Sequence, residues 1–347
     1  METKNPFSRS QLNKAGEIIT SSNEQSKIDA SVALVDQWRS NHLPVTDELM
    51  KSLSKIFDAN GITYLFSSTR IKRMISILNK LDRKEGMKLG GLNDIGGVRF
   101  VFNDIITLYG AKEILLRDVP ENFELLSDGV QYDYVSRPSP IGYRSIHFVY
   151  KYRSDDLRYN GLRVELQIRT KLQHTWATTV EAAELISNSA LKSGSGKTGW
   201  QDFLLMASAL FSIKENCPVV EKFAGKEPSA IYKGIKLLNE KSNYTETLKV
   251  WSLSAKIIEQ TRSKKDFYLL IVDYDEKKIQ CIGYPSSRRD DAMDKYRELE
   301  SIRLEDSPQT AVLVSALSLA QLREAYPAYF INTLAFVNEI EKACRNL

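Results

Sequence analysis

Hydrophobic positions along this chain recur with two different periods. From residue 8 to residue 60 the spacing is helical: SRSQLNKAGEII opens on a serine cap and IDASVALVDQWR carries the same pattern. Pro44 divides that second helix from a third, TDELMKSLSKIF. After Gly61 the period shortens. ITYLF and GGVRFVF read as strands, with the helix LYGAKEILLRDV between strands. NFELLSDGVQYDYV, SIHFVYKY and GLRVELQIR alternate or run apolar in the manner of strands. TKLQHTWATTVEAAELI returns to helical spacing, with Leu172, Trp176, Val180, Ala183 and Ile186 on one face. LKSGSGKTG reads as a linker, followed by the helices WQDFLLMASALFSIKE and SAIYKGIKLLNEK. DFYLLIVDY and IQCIGY predict a hairpin, DDAMDKYRELESI a helix, TAVLVSA a strand, and LAQLREAY and FINTLAFVNEIEKAC two further helices.

This pattern predicts an α+β chain: a mixed β-sheet flanked by helices, with a small C-terminal α/β domain. The expected divisions are an N-terminal helical segment (1–60), a main domain (61–190), a helical connector (191–241) and a C-terminal domain (242–347). Charge adds a little: a net +4 over 347 residues suits a nucleotide or RNA partner without demanding one. Cys217, Cys281, Cys344, His42, His147 and His174 are scattered, with no metal-ligand spacing, which argues against a zinc site. Sparse cysteines suit a reducing cytoplasm, and no apolar run approaches the roughly 18 residues of a membrane span.

Three clusters carry chemistry. In TRIKRMISILNKLDRKEG, Arg70, Lys72, Arg73, Lys80, Arg83 and Lys84 outnumber two carboxylates. They fall at a strand-to-helix turn, where backbone N–H groups and the helix dipole favour anions such as a triphosphate; a solvated basic helix face is the plainer reading. Asp94 and Glu165 each sit in or beside a strand, where acids are disfavoured, and two such carboxylates brought together can hold Mg²⁺. Salt bridges to nearby arginines are the plainer reading there. In RPSPIGYRSIH, two prolines and Gly142 shape a loop that presents Tyr143 for stacking and His147 for a phosphate.

Taken in order, R-x-K…S-I…K, D-I-x-G-x-R, G-Y-R-S-x-H and V-E-x-Q-I-R-T-x-x-x-H-x-W-A resemble the synthetase domain of the RelA/SpoT family, the alarmone synthetases. The resemblance implies a nucleotidyltransferase-like fold and a pyrophosphokinase that moves pyrophosphate from ATP to a ribose 3′-hydroxyl. It implies that Arg70, Lys72, Ser76, Lys80 and Arg99 bind the donor ATP. Asp94 and Glu165 match the Mg²⁺ carboxylates, Glu165 also being placed to draw the proton from the attacking hydroxyl. On the acceptor side, Tyr143 matches a base-stacking tyrosine, His147 a phosphate-contacting histidine, and Gln167 and Arg169 complete the set.

One departure is informative. Family members that make guanosine alarmones read P-K-x-N-G-Y where this chain has Pro138-Ser139-Pro140-Ile141-Gly142-Tyr143. Losing a lysine and an asparagine removes base-reading and phosphate-holding groups, which weakens discrimination strongly. The sequence resembles the toxic small alarmone synthetases, several of which use the 3′ CCA end of tRNA as acceptor; Lys192, Lys197, Arg153 and Arg158 are candidate RNA contacts, with a solvated loop as the plainer reading. The whole layout resembles the CapRel fused toxin–antitoxin proteins. There a C-terminal pseudo-zinc-finger carries a Y-x-x-Y motif that plugs the ATP site until a phage major capsid protein releases it. Tyr326 and Tyr329 match that motif. Synthesis of (p)ppGpp or (p)ppApp is the competing expectation, and a degenerate nucleotide or RNA sensor a third. A hydrolase is not expected, since His42 is the lone histidine before residue 60.

Overall fold

A computed structural model describes residues 7–83, 86–190, 197–254, 256–259, 267–273, 276, 278–301, 309–315, 323 and 333–345. Helix α1 (Arg9–Ser21) starts where its serine predicts. Ser8 Oγ accepts the Gln11 N–H at 3.3 Å and Gln11 Oε1 accepts the Ser8 N–H at 3.2 Å, so two orphan donors of the first turn are satisfied reciprocally.

The two helices expected on either side of Pro44 are one. Helix α2 (Gln25–Ala59) runs straight through the proline. An interior proline costs a helix about 3 kcal/mol. That is outweighed because both halves bury side chains in one core: Val35, Trp38 and Leu43 before it, Val45, Leu49, Leu53 and Phe57 after it. Each such burial is worth roughly 1.5–3 kcal/mol.

Among the described residues, nine strands form one mixed sheet: β1 (Phe66–Ile71), β2 (Gly96–Phe102), β3 (Phe123–Ser127), β4 (Ile146–Tyr152), β5 (Arg163–Thr170), β6 (Lys256–Glu259), β7 (Phe267–Asp273), β8 (Lys278–Tyr284) and β9 (Gln309–Ser315). Their order is β3-β4-β5-β2-β1-β9-β7-β8-β6. The predicted hairpin is present, with Phe267 opposite Tyr284 and Asp273 opposite Lys278. The C-terminal strands, however, do not make a sheet of their own. Strand β9 pairs with β7 on one side and with β1 on the other, Thr69 opposite Ser315 and Arg70 opposite Val314. Without β9, β1 would present unpaired backbone groups along an edge, and pairing satisfies them. The long strand read in NFELLSDGVQYDYV is also shorter than expected. It ends at Ser127, and the chain turns and comes back so that Asp133 bridges Ile146.

Helix α3 (Met74–Arg83) follows β1, α4 (Ile105–Arg117) follows β2, and α5 (Lys171–Ala190) follows β5. Helices α2 and α4 cover one face of the sheet, where Val98, Phe100, Phe102, Ile146, Phe148, Val164, Leu166 and Ile168 join the main core. Helices α5, α6 (Lys197–Lys214), α7 (Pro228–Ser242), α8 (Tyr244–Ser254) and α10 (Leu334–Arg345) share a second core around Trp176, Phe203, Phe211 and Phe336. Helix α9 (Arg289–Ser301) packs Ala292, Met293 and Tyr296 on β7 and β9, beside Leu43 of α2. Among the described residues no helix is long and apolar enough to cross a membrane.

Phe57 joins α2 to the sheet, its ring 5.0 Å from Phe100 and 5.6 Å from Phe102. Phe57→Ala is expected to lower the unfolding free energy by about 3–5 kcal/mol, read by guanidinium titration; a loss under about 1 kcal/mol contradicts this packing.

Candidate active site

The period of two along β5 builds the site. Val164, Leu166 and Ile168 enter the core, so Glu165, Gln167 and Arg169 must face the other way. Register then decides their neighbours. Strands β2 and β5 are parallel, with Gly97 beside Glu165 and Arg99 beside Gln167. Strand β4 is antiparallel to β5 and sets His147 opposite Gln167. Strand β1 sets Arg70 opposite Gly97 and Ser68 opposite Arg99. Four strands from distant parts of the chain thus place Arg70, Arg99, Glu165, Gln167, Arg169 and His147 on one polar face. Glycine at 97 leaves room for the Arg70 side chain, whose Cγ would lie 3.5 Å from a Cβ there, and a small cavity beside it is lined by Ser68, Arg70, Gly97, Arg99 and Gln167.

Glu165 is the centre of a hydrogen-bonded chain. Its Oε1 lies 3.2 Å from His147 Nδ1 and its Oε2 accepts from Gln167 Nε2 at 2.6 Å. His147 Nε2 meets the Tyr143 hydroxyl at 2.8 Å, and Arg169 donates to that hydroxyl at 2.6 Å and to Gln167 Oε1 at 2.8 Å. Burial would push the Glu165 carboxyl up, but the His147 charge, its hydrogen bond and that of Gln167 outweigh burial and hold it down to about 2. Burial would likewise push His147 down, yet Tyr143 and Glu165 raise it to about 9. Tyr143 would rise on burial, but Arg169 and His147 pull its hydroxyl down to about 8. At neutral pH Glu165 is therefore a carboxylate and His147 an imidazolium, and Tyr143 accepts two charge-assisted hydrogen bonds.

The loop that carries Tyr143 is stiff. Ser139 Oγ accepts the Tyr143 N–H at 3.0 Å and the Gly142 N–H reaches Ser139 C=O at 2.8 Å. Gly142 has φ +87°, and a Cβ there would come within 2.9 Å of Ser208 Cβ on α6, so glycine is required twice over. Tyr143 is not an open platform. The Arg169 guanidinium lies 5.1 Å from its ring centroid, and the rings of Tyr134 and His147 meet it edge-on at 5.7 and 5.6 Å. Arg144, next in sequence, is fully buried and paired with Glu215 at the end of α6 at 2.5 Å.

The basic segment forms the second half. Lys72 lies in the turn before α3, and Ser76 and Lys80, four apart, share one side of that helix. Lys72 Nζ and Lys80 Nζ reach Asp94 Oδ2 at 3.1 and 2.8 Å. Burial opposes ionisation of Asp94, as does the nearby Glu165 charge, but the two lysines win and its pKa is lowered. Lys72 is lowered by burial despite Asp94. Asp94 Oδ1 is buried with no hydrogen-bond partner. The expectation that α3 opens onto an anion meets a difference: the Met74 N–H in its first turn is taken by Glu300 of α9 at 3.1 Å.

Sequence reasoning placed these residues in separate clusters, and the sheet brings them to one face. It missed Tyr134, whose ring is 5.5 Å from His147. The alternation in QYDYV was its signal, since buried Asp133 points inward and Tyr132 and Tyr134 do not. It also missed Ser145, which Arg169 Nε approaches at 3.4 Å, and Glu215, which no local pattern connects to Arg144. Arg153 and Arg158 are held by Glu124 and Asp156. Tyr326, Tyr329 and Lys192 lie outside the described residues.

Comparison with known proteins adds a family signal over this face. Residues 69–187 match the family model described as the region found in RelA / SpoT proteins. The GTP pyrophosphokinase of Escherichia coli K12 is 31% identical over 149 residues, 42% of this chain and 18% of that protein. The GTP pyrophosphokinase of Haemophilus influenzae is 32% identical over 133 residues, 38% of this chain and 15% of that protein. The chain thus spans less than a fifth of the length of these curated relatives. Among solved structures, small alarmone synthetase 1 of Bacillus subtilis bound to pppGpp aligns at 25% identity and TM-score 0.42, over 51% of this chain and 90% of that one.

The ion pair has a pH signature. His147 is raised from 6.5 to about 9, so its contribution is whole below pH 6.5 and is lost as pH rises through 9. Glu165 is lowered from 4.5 to about 2, so its contribution is whole above pH 4.5 and is lost as pH falls toward 2. Tyr143, lowered from 10.0 to about 8, adds stability as pH climbs from 8 to 10. The melting temperature is expected to fall from pH 6.5 to about 8, to level between about 8 and 9, and to rise from about 9 to 10. His147→Gln should abolish that fall; a variant profile with the wild-type slope contradicts the assignment.

Proposed function

We propose that the RelA/SpoT region at residues 69–187 makes this chain a pyrophosphokinase, which takes pyrophosphate from ATP and transfers it to the 3′-hydroxyl of the tRNA CCA end. The observation that supports this most directly is the adjacency of two half-sites, each a carboxylate matched by cations: the Lys72, Lys80 and Asp94 cluster, and the chain running Glu165–His147–Tyr143–Arg169. Pyrophosphoryl transfer gives a protein little covalent work; it needs positive charge on the donor oxygens and an acceptor held in line. Arg70, Lys72, Ser76, Lys80 and Arg99 supply the first. Glu165 supplies the second. With its pKa near 2 it is a weak base, so it orients the 3′-hydroxyl by accepting its hydrogen bond and receives the proton late, when the hydroxyl has become acidic.

Residues that fit Mg²⁺ are present. The buried Asp94 Oδ1 has no protein partner and Glu165 lies close enough to perturb Asp94, which suits a hard cation bound through few carboxylates. When bound, Mg²⁺ would neutralise charge on the donor phosphates.

The acceptor assignment rests on Ser139 and Ile141. Ser139 accepts the Tyr143 N–H and carries no charge for a phosphate, and Ile141 is 73% exposed with nothing to offer a base edge. Neither reads guanine. Free-nucleotide synthesis, giving (p)ppGpp or (p)ppApp, is the second reading, favoured by the names of the curated relatives. In the fuller reading this is a fused toxin–antitoxin protein of phage defence: the C-terminal part holds the enzyme off through Tyr326 and Tyr329, and a phage major capsid protein releases it.

Incubation with γ-³²P-ATP and deacylated tRNA is expected to label the tRNA 3′ end. Labelled GDP, GTP or adenine nucleotide with unlabelled tRNA would decide for the second reading. Glu165→Gln should cut transfer by about 10²-fold or more; transfer within threefold of wild type overturns its role. Tyr326→Ala with Tyr329→Ala should raise toxicity on expression, scored by colony counts, and unchanged counts reject the plug.

A further inference from the structure

Arg39 is fully buried, far in sequence from the site, yet it grips the site's backbone. Its Nε donates to the Lys72 carbonyl at 3.0 Å. Its NH1 pairs with Asp36 at 2.5 Å and with Glu300 Oε2 at 2.9 Å, and its NH2 donates to the Tyr296 hydroxyl at 3.3 Å. Tyr296, also fully buried, donates in turn to Glu300 Oε1 at 2.8 Å. That same oxygen accepts the Met74 N–H. The turn between β1 and α3 is therefore clamped on both sides of Arg73: Lys72 C=O by α2, and Met74 N–H by α9. A second splint lies one step earlier, where β9 pairs with Arg70 of β1. Burying so many charged and polar groups is costly unless all are matched, and breaking such a network by removing one partner is correspondingly severe.

This joint holds the peptide from which Lys72 extends to Asp94, and the start of the helix that carries Ser76 and Lys80. We propose that Glu300, acting through Tyr296 and Arg39, is a positioning residue for the donor half-site, so that α9 must be docked for ATP phosphates to be bound tightly. The inference rests on the donor reading above, and it gives the C-terminal part a supporting role alongside any inhibitory one.

The test measures ATP affinity by calorimetry, and KM for ATP and for tRNA, in Glu300→Gln and Tyr296→Phe. Each variant is made in the full chain and in a full chain also carrying Tyr326→Ala and Tyr329→Ala, so that a plugged site is not mistaken for a lost one. Glu300→Gln should weaken ATP binding roughly ten-fold, the scale of one charge-assisted hydrogen bond, with KM for tRNA unchanged. Tyr296→Phe should weaken it several-fold while keeping the ring in place, and it decides alone if Glu300→Gln does not fold. A role confined to stability predicts a lower melting temperature with unchanged ATP affinity, or equal losses for both substrates; either result overturns the inference alone. Failure of the parent chain to bind ATP in both backgrounds overturns the donor reading and this inference together.

Discussion

Glu165 keeps a full negative charge in the middle of a mostly buried sheet face, and much of the surrounding structure follows from that. Taking a carboxylate out of water costs several kcal/mol unless its oxygens are matched. His147 and Gln167 match them. His147 must then be charged, which needs an acceptor on its other nitrogen; Tyr143 provides it, and Arg169 steadies Tyr143. Tyr143 in turn needs its loop, and the loop is fixed by Ser139, by Gly142 against α6, and by the buried pair of Arg144 with Glu215. One unfavourable charge is compensated by a sequence of partners that reaches from the centre of the sheet to a helix of another core.

The two half-sites face each other because of one parallel pairing. Strand β2 lies between β1 and β5, so the strand leading to the basic segment and the strand carrying Glu165 are separated by a single neighbour. Gly97 keeps that neighbour from filling the gap. The carboxylates of Asp94 and Glu165 are brought near each other while their partners stay separate: lysines for one, histidine and glutamine for the other. Differently charged groups thus share a face without collapsing onto one another.

Much of this was legible in the sequence because it is local. The alternation in VELQIRT announces both the strand and its polar face, and the serine before α1 announces its cap. What escaped was nonlocal. Pro44 has a local cost that distant burial along α2 overrides. The chain before Gly61 gives no hint that Arg39 meets Glu300, and nothing in TAVLVSA says that it pairs with β1 as well as β7. Strand pairing at long separation leaves no periodic trace; it is decided by which edge remains open once the nearer partners have closed.

The place of β9 in the sheet has a consequence in time. Strand β1 (Phe66–Ile71) is made well before β9 (Gln309–Ser315), which flanks it, because chains emerge N-terminus first. Closing so long a loop is among the slower steps available to a folding chain. The segment carrying Arg70 therefore waits with one side open until β9 has been made. An unfinished or truncated product would be left without that flank, whatever the rest of it had managed to fold.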